Sequence, residues 1–368
     1  MSFIIEVLRS WMEYYRSFRI KIFLAGCLLS TTLHANHYHE IFAYSRQQIA
    51  EILQELKTKR ALSSDAQIAF IAKHLEDIPY LYQQAMGEGD WQANSWIYKP
   101  GALHFKQNPV YRMDGLNCQT LVQVAMALYE SSHAHSLDEF DKNYLRISYG
   151  AAGNPDGEIV HFYNRNHFIE ADFNPVNHRN GILKDVTRAG ILSSYAKNLH
   201  AHINRHEWFL RQRYQKFYTQ LPLKHFNSEE IDISYLPADV FAAHKIQDAI
   251  PTPAIAEVVR DPDKWRYAGM LVKNIIGTEL TVSHLGLLYR KTFKHGDVIY
   301  HKVACEWYDQ KKMCESAAIY CQKKTCKELM FTHASTSQHH VVSIPLFDYL
   351  RDNQMEDKSF LGVHVERM

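Results

Sequence analysis

The chain reads as an α+β protein in which a helical opening part precedes an antiparallel sheet, and three observations carry that expectation. Residues 45–86 place Ile49, Ile52, Leu53 and Leu56 on one helical stripe and Ile68, Phe70, Ile71 and Leu75 on another, so two or three helices open the fold. NCQTLVQVAMALY (117–129) joins an N-cap candidate, Asn117, to an apolar helical run that begins at Cys118 and reaches about Tyr129. Strand-like runs then dominate from 281 onward: TVSHLGLLYRK (281–291), DVIYHKVA (297–304), ELMFTHAS (328–335) and HVVSIPLFDYL (340–350). Between these blocks, YLRISYG (144–150), EIVHFY (158–163), HFIEADF (167–173) and GILKDVT (181–187) also read as strands. Helical spacing returns from Leu192 to Tyr218. The loop MGEGDWQANSWIYKPG (86–101), with its Gly and Trp residues, reads as a binding rim or a packed connection.

At 368 residues the chain is long enough to bury a large core. An apolar content of 46% and an aromatic content of 12% exclude a disordered polymer, and a net charge of +1 excludes the basic footprint of a nucleic-acid binder. No repeat, low-complexity tract or clean linker divides it, so one domain with insertions is expected. With 22 histidines present, any single one needs a context before it signals function.

The first 35 residues read as a secretory signal peptide. Arg16, Arg19 and Lys21 precede a short apolar segment from Ile22 to Leu29, and small and polar residues follow as far as Ala35. That segment is much shorter than the roughly 18–20 residues a spanning helix needs, so no stable membrane span is expected. Met12 is an alternative start, and Leu24-Ala25-Gly26-Cys27 offers lipid attachment at Cys27 as the alternative to simple cleavage. A buried N-terminal helix fits the basic flank poorly.

Export makes the cysteines informative. Cys305, Cys314, Cys321 and Cys326 cluster within 22 residues, which suits disulfides in an oxidising compartment and allows three connectivities. Their spacing lacks the short knuckles of a structural zinc site. Cys118 is left without a partner. A thiol at a helix start faces unpaired backbone N–H groups and the positive end of the dipole, both of which favour thiolate and could hold an oxyanion. The bland alternative is a small core residue.

A nucleophile needs a base. In strand geometry His284, Gly286 and Leu288 share a face, with Gly286 small enough to leave room for a facing helix. His333 shares a face with Phe331 and Leu329, so neighbouring strands would let it bond the far nitrogen of His284 and fix its tautomer.

NCQTLVQVAMALY, SHLGLLY, and THAS followed by VVSIPLFDYL resemble, in this order, the three catalytic blocks of the NlpC-type branch of papain-like cysteine peptidases. IAKHLEDIPYLYQQAMGEG and RNHFIEADFNPVNHRNG resemble a narrower branch, the N-acetylmuramoyl-L-alanine amidase-like family. The resemblance implies a papain-like fold with a catalytic helix packed on an antiparallel sheet. It makes residues 36–368 a single cysteine amidase domain with insertions at about 130–275 and 300–327. Cys118 would be the nucleophile, His284 the general base and His333 the orienting third member, with His301 in DVIYHKVA a competitor for that last role. The implied partner is peptidoglycan or its muropeptide fragments, cut between muramic acid and the L-alanine of the stem peptide in the periplasm, without cofactor or metal.

Arg165, His167 and Asp172 form a rival constellation, read as part of the substrate cleft with Arg165 toward a stem-peptide carboxylate. Tyr111, Arg112, Asp114 and Asn117 would line the same cleft or serve as turn and cap residues. A stem-peptide endopeptidase and a catalytically inactive wall-binding protein are the alternatives. A metal-dependent amidase is opposed by the lack of an HExxH motif.

Overall fold

The computed structural model describes residues 40–59, 61–81, 110–150, 165–216, 226–308 and 311–368. The expected leader with Cys27, the whole 86–101 loop and the expected strand 158–163 lie outside the described residues.

Four helices come first: α1 (40–58), α2 (Ser64–Leu75), α3 (Cys118–Glu130) and α4 (Leu137–Ser148). Their starts are written in the sequence. Ser63 and Ser136 cap α2 and α4 by accepting from the N–H groups of Ala66 and Glu139. Short helices follow at α5 (Asn174–Arg179), α7 (His244–Ala249) and α8 (Val272–Ile276), with longer ones at α6 (Arg205–Lys216) and α9 (Leu346–Glu356).

The strands are β1 (Lys184–Asp185), β2 (Lys197–Asn204), β3 (Ser228–Pro237), β4 (Ala254–Arg260), β5 (Arg266–Tyr267), β6 (Met270–Leu271), β7 (Val282–Lys294), β8 (Val298–Tyr308), β9 (Lys311–Tyr320), β10 (Thr325–Ser335), β11 (His340–Pro345) and β12 (Phe360–Arg367). The main sheet runs β11-β10-β7-β4-β12-β3-β2, with β1 paired to the far end of β12, and its pairings are antiparallel. β5 pairs with β6 and β8 with β9 in separate hairpins.

This sheet is a middle layer. Ile255, Val259, Leu285, Leu287 and Met330 join the core built by α1 to α4, whereas Ala256, Val258, Leu288, Phe331 and Val363 join the core under α7 and α9. Burial on both faces explains why β4, AIAEVVR, shows no polar alternation apart from Glu257 and its last residue, Arg260. Each fully buried Leu, Ile or Val adds about 1.5–3 kcal/mol. The α+β class and the antiparallel sheet are therefore present.

Several element assignments change. YLRISYG is mostly the end of α4, because Phe140, Tyr144 and Ile147 form a buried helical stripe that begins before residue 144. HFIEADF forms a π-turn over Ile169–Phe173 that leads into α5, since the Asp172 and Phe173 N–H groups both bond to Phe168 O. GILKDVT keeps only the two-residue β1. Within 192–218, residues Lys197–Asn204 pair with β3, and the helix is confined to Arg205–Lys216. In HVVSIPLFDYL, Pro345 ends β11 and stands at the N-cap of α9.

Cys321 and Cys326 form a disulfide. Cys305 and Cys314 stand directly opposite on β8 and β9, and their side chains lie outside the description. Among the described residues no helix is long and apolar enough to cross a membrane.

Candidate active site

Local hydrogen bonding makes Cys118 the first residue of α3. The Thr120 N–H donates to Asn117 Oδ1 at 2.8 Å, and the Asn117 N–H donates to Thr120 Oγ1 at 2.9 Å, a reciprocal capping box. The preceding chain is fixed as well: the Leu116 N–H bonds to Pro79 O, and the Leu81 N–H to Leu116 O, both at 2.9 Å. Cys118 is the free cysteine among the described side chains. It keeps some exposed surface but is enclosed by protein atoms, and that burial pushes the thiol up. The N–H groups of Leu285, Gln119 and Cys118 itself oppose the shift by stabilising the thiolate.

β7 brings His284 to the same place. Its start is pinned by Glu170, whose Oε1 accepts from both the Thr281 N–H and the Thr281 hydroxyl at 2.7 Å. Against β4, Val258 pairs with His284 but Val259 pairs with Val282, so Ser283 is the extra residue of a bulge beside the histidine. The Ser283 hydroxyl donates to Val258 O at 3.3 Å and accepts from Arg260 Nε at 2.8 Å.

β10 lies next to β7, and the paired register ends at Leu287 opposite Thr332. Just beyond, His284 Nε2 and His333 Nδ1 are 2.9 Å apart with rings nearly perpendicular at 88°. Phe331 stacks on His333 at 5.0 Å, and Tyr349 from α9 packs against both histidines. Burial, with a smaller contribution from Arg260, pushes the His284 imidazolium down to about 4. Burial thus opposes charge on both Cys118 and His284, which line the same cavity. The expected pull of the helix start toward thiolate is present in its N–H groups, and enclosure acts against it more strongly.

Gly286 also has a different reason from the one expected. A Cβ there would meet the Phe331 ring at 2.3 Å and Thr332 O at 2.6 Å, so the missing side chain makes room for β10 rather than for a facing helix.

A cavity of about 500 Å³ is lined by Cys118, His284 and His333, together with Arg260, Trp265 and Tyr349. Of the expected cleft residues only Asn117 lines it, next to its capping role. Tyr111 is buried in an aromatic cluster with Phe140 and Tyr144, and its hydroxyl donates to Asp141 at 2.6 Å. Arg112 pairs with Asp114 at 2.6 Å. Arg165 is buried and donates to the Tyr149 hydroxyl at 2.5 Å, outside the cavity. His167 packs on Trp208 and Phe209, and Asp172 is held by Arg205 at 2.6 Å, so each member of the rival constellation has other partners. That segment still touches the start of α3, where Gln119 Nε2 donates to Asn166 O at 2.7 Å. His301 is on β8, whose strand partner is β9 and not β7. Among the described residues no group of three or more His, Cys, Asp or Glu could hold a metal ion.

Arg260, Trp265 and Tyr349 were not anticipated. Arg260 ends an apolar β-branched run bracketed by Pro253 and Pro262, a pattern that reads as a strand once the prolines are taken as its ends. Tyr349 was hidden by reading 340–350 as one strand, although Pro345 marks the change to helix.

Residues 83–325, which include Cys118 and His284, match the AmiA-like family, described as N-acetylmuramoyl-L-alanine amidase-like. No curated protein matches the chain at a significant level. Among solved structures, protein LPG0564 of Legionella pneumophila, from the family DUF1460, is 22% identical with a TM-score of 0.61, covering 87% of this chain and 94% of its own. That likeness shows a shared fold. An N-acetylmuramoyl-L-alanine amidase from Bacteroides uniformis is 19% identical with a TM-score of 0.46, covering 83% of this chain and 98% of its own.

Proposed function

The chain belongs to the N-acetylmuramoyl-L-alanine amidase-like family, and from that premise we propose that it is an exported cysteine amidase of the papain-like NlpC type. Its substrate is the amide between the lactyl group of N-acetylmuramic acid and the L-alanine of a stem peptide, in peptidoglycan or released muropeptides. Residues 36–368 form the single catalytic domain, and residues 1–35 are the export signal. The observation that carries the reading is the 2.9 Å contact between His284 and His333 on the wall of the cavity that also receives the free thiol of Cys118.

The chemistry follows from those groups. His284 donates its Nε2–H to His333 Nδ1, which leaves Nδ1 of His284 basic. As Cys118 Sγ attacks the amide carbon, its proton passes to that nitrogen, so neither group carries charge before the bond forms. The N–H groups at the start of α3 then stabilise the oxyanion. Collapse breaks the C–N bond, and His284 returns the proton to the departing L-alanine nitrogen. Water, deprotonated by His284, attacks the thioester and releases the lactyl carboxylate and the thiol.

Mass spectrometry of muropeptides after digestion tests the bond choice. The expected products are the sugar with a lactyl carboxylate and an intact stem peptide with a free L-alanine amine. A stem cut internally would assign the endopeptidase activity instead.

A further inference from the structure

The expected carboxylate partner, Arg165, is buried away from the cavity, which leaves open what receives the acidic groups of a stem peptide. Arg260 is the single Lys or Arg among the described residues lining the cavity. It is next in line to the proposed base, because its Nε bonds to the hydroxyl of Ser283, the residue before His284, at 2.8 Å.

The guanidinium is held rigidly. Nη1 donates to Asp357 and, at 3.2 Å, to the Ser359 hydroxyl, while Trp265 and Phe360 lie about its carbon at 5.9 and 6.0 Å. Its remaining nitrogen, Nη2, makes only a long contact of 3.4 Å to Asn353 Oδ1. A guanidinium has five N–H donors, so this edge keeps donor capacity that the described residues do not use. The acids nearby do not fill it: Asp357 is on Nη1, and Asp352 pairs with Arg351 at 3.4 Å.

We propose that Arg260 is a specificity-determining residue that binds a free carboxylate of the stem peptide close to the scissile amide. This inference rests on the amidase reading. When the second stem residue is a glutamate joined through its side-chain carboxyl, its α-carboxylate stays free one residue beyond the bond to be cut. A fixed guanidinium edge suits that planar anion better than a flexible ammonium does. Conversion of the carboxylate to a carboxamide replaces an acceptor of two N–H groups with one oxygen and two opposing donors.

The test compares two synthetic N-acetylmuramoyl-L-alanyl peptides that differ only in whether this α-carboxyl is free or amidated. The wild-type enzyme is expected to show kcat/KM about 10- to 100-fold lower on the amidated peptide, mainly through KM. Arg260→Met is expected to bring that ratio near one by losing activity on the acid, and Arg260→Lys to keep part of it. The ratio is internal to each enzyme, so a general loss of fold does not imitate the result. Equal cleavage of both peptides by the wild type, or a ratio preserved in Arg260→Met, overturns the assignment while the amidase reading stands. Cleavage of neither peptide by the wild type overturns the amidase reading and the assignment together.

Discussion

Replacement of His333 by alanine removes one hydrogen bond from the proposed base while leaving the nucleophile and its helix untouched. In the resting site the bond joins the two rings at 2.9 Å. In the transition state His284 holds the cysteine proton, and the same bond becomes charge-assisted, contributing about 1.5–3 kcal/mol. At about 1.4 kcal/mol per tenfold, kcat should fall roughly 10- to 150-fold with little change in KM. His333 is also buried and stacked on Phe331, so the truncation should cost about 2 kcal/mol of stability. The assay is chromatographic turnover at saturating muropeptide, paired with urea unfolding to show that the variant is folded under assay conditions. His301→Ala, on the β8–β9 hairpin, should retain kcat. A folded His333→Ala enzyme within twofold of wild type, or a large loss in His301→Ala, would refute the assignment of the orienting residue.

Four further outcomes follow from the structure. Because His284 is pushed down to about 4, kcat/KM should persist through pH 5 and fall only as pH drops through about 4; an acid limb near 6.5 would contradict the buried base. The same shift erodes stability as pH falls from about 6.5 toward 4, where the unfolded imidazole binds a proton that the folded one refuses. Gly286→Ala puts a Cβ 2.3 Å from the Phe331 ring, so urea unfolding should show a loss of about 1–3 kcal/mol, and turnover should drop as Phe331 presses on His333; a neutral variant would disprove the close approach. On the far side of the sheet, buried His364 is raised to about 9, chiefly by its 2.8 Å bond to Glu366, against the opposing effect of burial. His364→Gln should cost about 3 kcal/mol at pH 7, and the difference should shrink as pH rises through about 9, where the wild-type imidazolium is lost; a gap unchanged at pH 10 would deny the charge.

The parts of the fold that local chemistry dictates were readable in advance. Asn117 and the apolar run after it define α3, and the alternation in SHLGLLY and LMFTHAS places two strands whose faces carry His284 and His333. Elements that depend on distant partners were not readable. The polar positions of β2 give little sign of a strand until β3 pairs with it along its whole length. The π-turn at 169–173 depends on Asp172, which is anchored by Arg205 from another helix. The cleft was misjudged for a similar reason: Tyr111 and Arg165 carry polar groups, but these turn to Asp141 and Tyr149 in the interior. Arg260 closes an apolar run in the sequence, and the Ser283 bulge and Ser359 just before β12 show where its charge is used.

Turnover of a defined muropeptide by Cys118→Ala tests the central claim most directly, since the substitution removes a sulfur and leaves the capping box of Asn117 and Thr120 in place. The account predicts a folded protein that releases no L-alanine-terminated peptide above the uncatalysed background. Hydrolysis at a wild-type rate by that variant would contradict it.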